Sequence, residues 1–485
     1  MNAWIVFLAA FVAFAATVTA ESKCFDFVTE KVVCYYGSWA VYRPGAGKFD
    51  IANIDPNLCT HLIYTFIGIN NDGSIKILDS WQDLPDNYGK NGFGRFNDLR
   101  KKNSNVKTMI AIGGWNEGSI KYSHVVANPT LRTKFVDSVV KFLDKYGFDG
   151  FDIDWEYPNQ RGGKPTDKEN YIALLKELRE KFNQRGYILS AAVCAAETPA
   201  SQSYIIPEMS KHLDFINLMA YDLHGSWEST TGINSPLYAK KGATGNNAKL
   251  TVDASVKYWL AQGAPPEKLI LGVPFYGRSF TLRNVQQNAV GSPTTGAGTA
   301  GPYTREPGML GYNEICTQLH SGKWTVVYDN EQRVPYAYNG NQWVGYDNVQ
   351  SIKEKAEYIK AKGLGGAMLW SIETDDFHGA CGEKYPLLKV LNNVLRDGPA
   401  LKPTTTETTI PSETATSTKT TKPTSPPSKD ICTREGFIRD PKDCSKFYHC
   451  RLVDGHYLVS KFQCPDGLVF DPAILNCNYP DKVQC

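Results

Sequence analysis

The chain has 485 residues, 42% of them apolar, which is more than one ordinary domain needs and suits one large domain with a smaller companion. Its formal net charge of +2 and the lack of any long run of Lys and Arg exclude an electrostatic case for nucleic acid or an anionic membrane surface.

Residues 1–20 read as a targeting segment. Trp4 to Ala16 is apolar and uncharged, and Val18-Thr19-Ala20 sets small residues ahead of a cut after Ala20. A membrane anchor is the competing reading, but the apolar run is short for a bilayer. The expectation is a cleaved signal peptide and a secreted, extracellular protein, in which the 12 Cys can form disulfides.

From residue 21 to 398, short apolar runs alternate with amphipathic helical patterns. Strands are expected at Val32–Tyr36, Leu62–Phe66, Thr108–Ile112, Phe148–Trp155, Ile188–Val193, Phe215–Ala220, Leu269–Val273 and Gly366–Trp370. Between them, Leu131, Phe135, Val139, Phe142 and Leu143 make one helical stripe. Tyr171, Leu174, Leu175, Leu178 and Phe182 make another, opened by a Thr166-x-x-Glu169 capping box and closed by Gly186. A third helix is expected to start at Ser351-x-x-Glu354 and to end at Gly363. Eight strands alternating with helices argue for a parallel α/β barrel, although doubly wound sheets share this alternation. Residues 276–345, rich in Gly, Thr, Tyr and Pro, break the rhythm and read as an insertion before the last strand.

Residues 399–430 collapse to Thr, Ser, Pro and Lys, a composition that cannot bury a core and reads as an extended stalk suited to O-glycosylation. Residues 431–485 carry Cys432, Cys444, Cys450, Cys464, Cys477 and Cys485. Six Cys in a short secreted segment read as a disulfide framework whose pairing the spacing leaves open, and so small a domain has too little core to fold without links. A zinc knuckle is the rival reading, but no C-x-x-C pair is present.

The most informative run is Phe148-Asp149-Gly150-Phe151-Asp152-Ile153-Asp154-Trp155-Glu156-Tyr157-Pro158. Strand side chains alternate faces, so Asp152, Asp154 and Glu156 point one way and Ile153 and Trp155 the other. Three carboxylates on one inward face repel, and burial adds to the cost. The row is tolerable when protons are shared, which pushes the last carboxylate towards its acid form, as a general acid near neutral pH requires. A cation site is the alternative. Against it, the eight His are scattered and no second carboxylate cluster completes a cage.

Asp149-Gly150-x-Asp152-x-Asp154-x-Glu156 resembles the signature of glycoside hydrolase family 18, the chitinases. Ala111-Ile112-Gly113-Gly114-Trp115 resembles the family's strand-three motif, with Ala where many members have Ser. Met219-Ala220-Tyr221-Asp222, Pro274-Phe275-Tyr276-Gly277-Arg278 and Gly365-Gly366-Ala367-Met368-Leu369-Trp370 resemble its strand-six, strand-seven and strand-eight motifs. The resemblance covers about residues 31–391 and implies an eight-stranded (β/α)8 TIM barrel with a late α+β insertion.

It also implies hydrolysis of β-1,4 linkages between N-acetylglucosamine units with retention of configuration. In that scheme the substrate's own acetamido oxygen is the nucleophile, unlike the usual pair of carboxylates. Glu156 would be the acid and base. Asp154 would hold the acetamido NH, with Asp152 sharing its proton. Tyr221 would bond the acetamido carbonyl and Asp222 support the bound sugar. Trp370, Trp39, Trp115 and Trp227 fit sugar-stacking positions, and Tyr35, Met219, Tyr276 and Arg278 the cleft lining. The resemblance calls for no cofactor or metal, and names chitin and chito-oligosaccharides as partners; a monomer is expected. Two positions depart from the pattern, Glu373 and Asn348, where Asp is more usual.

The tail's cysteine spacing, with Phe447-Tyr448-His449-Cys450 and Gly467-Leu468-Val469-Phe470-Asp471, resembles the peritrophin-A chitin-binding module. This implies the pairs Cys432–Cys450, Cys444–Cys485 and Cys464–Cys477, and in the body the pairs Cys34–Cys59 and Cys316–Cys381. Cys24 and Cys194 are left over. Tyr448, Tyr457, Phe462, Phe470 and Tyr479 are the tail's candidates for sugar stacking, with Tyr457 and Phe462 favoured as surface contacts.

Overall fold

The computed structural model describes residues 30–396, Cys432 and most of 436–483. The expected signal segment, Cys24, the Thr/Ser/Pro stretch and Tyr479 lie outside the described residues.

Eight strands form the body: β1 Lys31–Gly37, β2 His61–Ile69, β3 Lys107–Gly113, β4 Gly150–Asp154, β5 Ile188–Cys194, β6 Phe215–Met219, β7 Leu269–Pro274 and β8 Gly366–Trp370. Each pairs in parallel with the next, and β8 pairs with β1. The sheet is therefore a closed barrel, and the doubly wound alternative is excluded. Closure gives every strand two buried faces, which is why the strands read as nearly unbroken apolar runs. Along β1, Val33 and Tyr35 join Ile63, Met109, Ala111, Phe215, Ile270 and Met368 inside the barrel. Val32, Cys34 and Tyr36 face outward into the layer packed with helices.

The helices show which end signals operate. Helix α1, Pro129–Tyr146, is capped by Asn128, whose side chain accepts from the amides of Thr130 and Leu131, and it ends at Gly147 with φ 76°. Helix α2, Asp167–Asn183, buries the expected stripe, but Thr166 caps nothing. Buried Asp167 turns its carboxylate back instead, accepting from Ser123 Oγ at 2.7 Å and from the Asn159 and Lys164 amides at 3.2 and 2.8 Å. Helix α3, Val349–Lys362, starts before Ser351. Its cap is Asn348, which exchanges hydrogen bonds with Ser351, and it ends at Gly363 with φ 63°.

Between β7 and α3 lies an antiparallel sheet built on Tyr276–Leu282, Gln342–Gly345, Val334–Asn339 and Thr325–Asp329, with helix Tyr312–His320 beside it. Phe280, Tyr336 and Trp343 form its buried centre. Disulfides join Cys34 to Cys59 and Cys316 to Cys381, the latter tying the insertion's helix to the segment after β8. Cys194 is a buried free thiol. Among the described residues, no helix is long and apolar enough to cross a membrane.

The C-terminal unit is a three-stranded antiparallel sheet, Gly436–Arg439, Lys446–Val453 and His456–Gln463, followed by a short pair, Val469–Asp471 and Asn476–Asn478. Cys432 is bridged to Cys450. Cys444 and Cys464 are also disulfide-bonded; the side chain of Cys477 and all of Cys485 lie outside the described residues.

Candidate active site

Strand alternation on β4 sends Asp152 and Asp154 to the barrel interior. Ile153 and Trp155 go outward, where Trp155 stacks on Tyr122 and donates from Nε1 to Ser119 Oγ at 2.9 Å. Asp149 stands apart from this row. It pairs with Arg100 at 2.7 Å and accepts from the Thr108 amide, so it fastens β3 to the start of β4.

Asp152 is fully buried. Tyr35 donates to it at 2.7 Å, Ser190 at 2.5 Å and Asn217 at 3.3 Å. Desolvation pushes its carboxyl up to about 6, against the pull of these three donors. Asp154 is buried, and its Oδ1 has no hydrogen-bond partner among the described residues. Burial first, then the charges of Glu156 and Asp152, hold its proton on well above the usual carboxylate range. Glu156 follows the strand at its carboxyl end. Desolvation and the neighbouring Asp222 raise it towards neutrality, while Tyr157 and Arg161 draw it down.

Across the mouth, the segment after β6 brings Tyr221 and Asp222. Tyr221 is buried with its hydroxyl 3.7 Å from Met368 Sδ. Asp222 stands in the left-handed region at φ 54°. Tyr276 Oη and Arg278 Nε each donate to its carboxylate at 2.7 Å, and its own amide donates to Asn234 Oδ1. Met219, at the end of β6, is half-buried against the barrel interior.

The predicted aromatic residues divide into two groups. Trp370 is half-buried and packs with Tyr35, Trp39 and Phe66 at centroid distances of 5.7, 6.1 and 5.9 Å. Trp39, Trp115 and Trp227 are 41%, 58% and 61% exposed, which rules out core packing for them and leaves flat apolar faces in reach of solvent. Arg161 lies 3.5 Å over the Trp115 ring and Arg278 lies 5.3 Å from the Trp227 ring.

Sequence reasoning did not find Ser190, Asn217, Phe66 or Arg161. The first two carried a signal, a lone polar residue within an apolar strand; Ser190 lies opposite Asp152, and Asn217 lies opposite Ala192 on the next strand pair. The atypical Glu373 is fully buried, accepting from the Gly37 amide and from Ser371 Oγ. In the C-terminal unit, Tyr448 and Phe470 are buried, whereas Tyr457 and Phe462 are exposed. The last two fall an odd number of residues apart on one strand and so face opposite sides of it. Phe462 stacks on Phe447, which stacks on Phe470.

A comparison with known families matches residues 31–375 to the glycosyl hydrolases family 18 and residues 432–485 to the chitin binding Peritrophin-A domain. The endochitinase of Manduca sexta is 42% identical over 412 residues, which cover 82% of this chain and 72% of that protein. The crystal structure of Ostrinia furnacalis Group IV chitinase in complex with allosamidin is 49% identical with a TM-score of 0.74, covering 76% of this chain and 99% of that one. Human YKL-39, described as a pseudo-chitinase with retained chitooligosaccharide binding properties, is 38% identical with a TM-score of 0.70, covering 76% of this chain and 99% of that one.

Proposed function

The chain belongs to the glycosyl hydrolases of family 18, and from that membership we propose that it is a secreted chitinase with Glu156 as its proton donor. The observation that carries this reading is the interior row of Asp152, Asp154 and Glu156, in which Asp152 is held by three donors and Glu156 is pushed towards its acid form.

Glu156 protonates the glycosidic oxygen while the acetamido oxygen of the same sugar attacks the anomeric carbon. The resulting oxazolinium ion is opened by a water that Glu156, now a carboxylate, deprotonates, and the configuration is retained. Asp154 has a buried oxygen without a partner among the described residues and serves as acceptor for the acetamido NH. Its proton passes to the Asp152 side of the row as the intermediate forms. Tyr221 donates to the acetamido carbonyl, and Asp222, fixed by Tyr276 and Arg278, supports the bound sugar. The exposed indoles of Trp39, Trp115 and Trp227, with Trp370 at the end of β8, offer flat faces to the apolar faces of sugars. The C-terminal unit holds the enzyme on solid chitin.

Glu156→Gln keeps the shape of the site and removes its proton. It is expected to lose at least a hundredfold and up to about 10⁴-fold in turnover while still binding chitin. Turnover retained in this variant would overturn the assignment.

A further inference from the structure

Arg161 occupies a conformation its residue type disfavours. Its φ is 51°, and Asn159 and Gly162 beside it have φ 63° and 91°. A non-glycine residue in the left-handed region carries a backbone cost that persists only where the surroundings impose it. Here they do. Asp167 accepts from the Asn159 and Lys164 amides, and the Gln160 and Gly163 amides bond to Tyr157 and Gln160 carbonyls. The loop is therefore rigid at its base, and it projects one long side chain.

That side chain makes three contacts. Its guanidinium carbon lies 3.5 Å from the Trp115 ring centroid. Its Nη1 donates to the Trp115 carbonyl at 2.7 Å and to the Glu156 carbonyl at 3.1 Å. One group thus binds the indole of the β3 exit, the backbone that carries the indole, and the backbone of the β4 exit that carries the acid. The stack covers one face of an indole that remains 58% exposed with the arginine in place, so that open surface is left for a sugar ring. A lysine could supply the charge but not the planar stack.

We propose that Arg161 is a positioning residue that locks the Trp115 platform at a fixed distance from the acid, so that an N-acetylglucosamine unit stacked on Trp115 is in register with the bond Glu156 protonates. This rests on the reading of Glu156 given above. Pre-ordering the platform lowers the cost of binding a long chain. The same cation draws down the proton affinity of Glu156. The other groups that act on Glu156 or are acted on by it are Asp154 on β4, Tyr157, Cys194 on β5, Tyr221 and Asp222 after β6, and Tyr122 in the helix after β3.

The test compares Arg161→Met, Arg161→Lys, Trp115→Ala and the Arg161→Met/Trp115→Ala pair on chitohexaose, with calorimetric binding repeated in the Glu156→Gln background. Arg161→Met is expected to raise KM and the dissociation constant by about five- to tenfold, and to move the alkaline limb of kcat/KM to higher pH. Arg161→Lys restores the limb but not KM. In the Trp115→Ala background, Arg161→Met adds less than about twofold, because coupled residues are non-additive. KM and binding within twofold of wild type for Arg161→Met, or effects of the two residues that simply multiply, would overturn the proposal. An inactive wild type would indict the reading of Glu156 instead, and the calorimetric cycle would still decide whether Arg161 holds Trp115.

Discussion

Desolvation dominates the three inward carboxylates. Each loses water, and only Asp152 is repaid by three neutral donors. Asp154 keeps a proton first because it is buried and then because its two acidic neighbours flank it. A general acid works only while protonated; in the role proposed for it, Glu156, raised to about 7, loses its proton as pH climbs past that value. Activity should therefore fall as pH rises through about 7, and a pH profile of kcat/KM on chitohexaose checks this. The charge of Asp222 raises Glu156, so Asp222→Asn should shift the alkaline limb to lower pH; an unmoved limb would show that Asp222 does not tune Glu156. The carboxylate row was legible because alternation on a strand fixes faces. Ser190 and Asn217 were not, because one polar residue in an apolar strand reads equally as a satisfied core group. Arg161 lay beyond reach for a different reason: its ring partner is 46 residues away, and a turn sequence does not show what its side chain meets.

Local end signals were less faithful than apolar periodicity. All eight strands and the two fullest helical stripes were legible, since each buries a continuous face. The capping boxes were not, because several polar side chains compete for the same amides. At α2, Asp167 serves the preceding loop and Thr166, itself in helical conformation, caps nothing. At α3, Asn348 has the extended backbone a cap needs, and Ser351 answers it as the third residue of the helix. Removing this cap with Asn348→Ala should cost about 1 kcal/mol, measurable by urea unfolding, and Asn348→Asp should restore it. Nearby, Lys355 and Asp347 form a fully buried pair at 2.7 Å that also engages Ser235, so the start of α3 is anchored to the barrel by more than its cap.

Barrel closure gathers at one mouth residues from five strand exits: Trp115, Glu156, Tyr221 with Asp222, Tyr276 with Arg278, and Trp370. Alternation of strands and helices could not by itself distinguish this from an open sheet; the pairing of β8 with β1 does. The Thr/Ser/Pro composition of residues 399–430 argues that the two folded units work as separate modules. Cleavage near Thr416 should then release a body fully active on soluble oligomers but weaker on solid chitin, as a sedimentation and activity assay would read; equal activity on solid chitin would remove the targeting role of the C-terminal unit. The most direct test of the whole account is mass spectrometry and NMR of the products formed from chitohexaose by the pure protein. Short oligomers that first appear as the β-anomer are expected from a retaining hydrolase that uses the substrate's acetamido group. Intact hexamer alongside measurable binding would contradict it and place this chain with the binding proteins of its family.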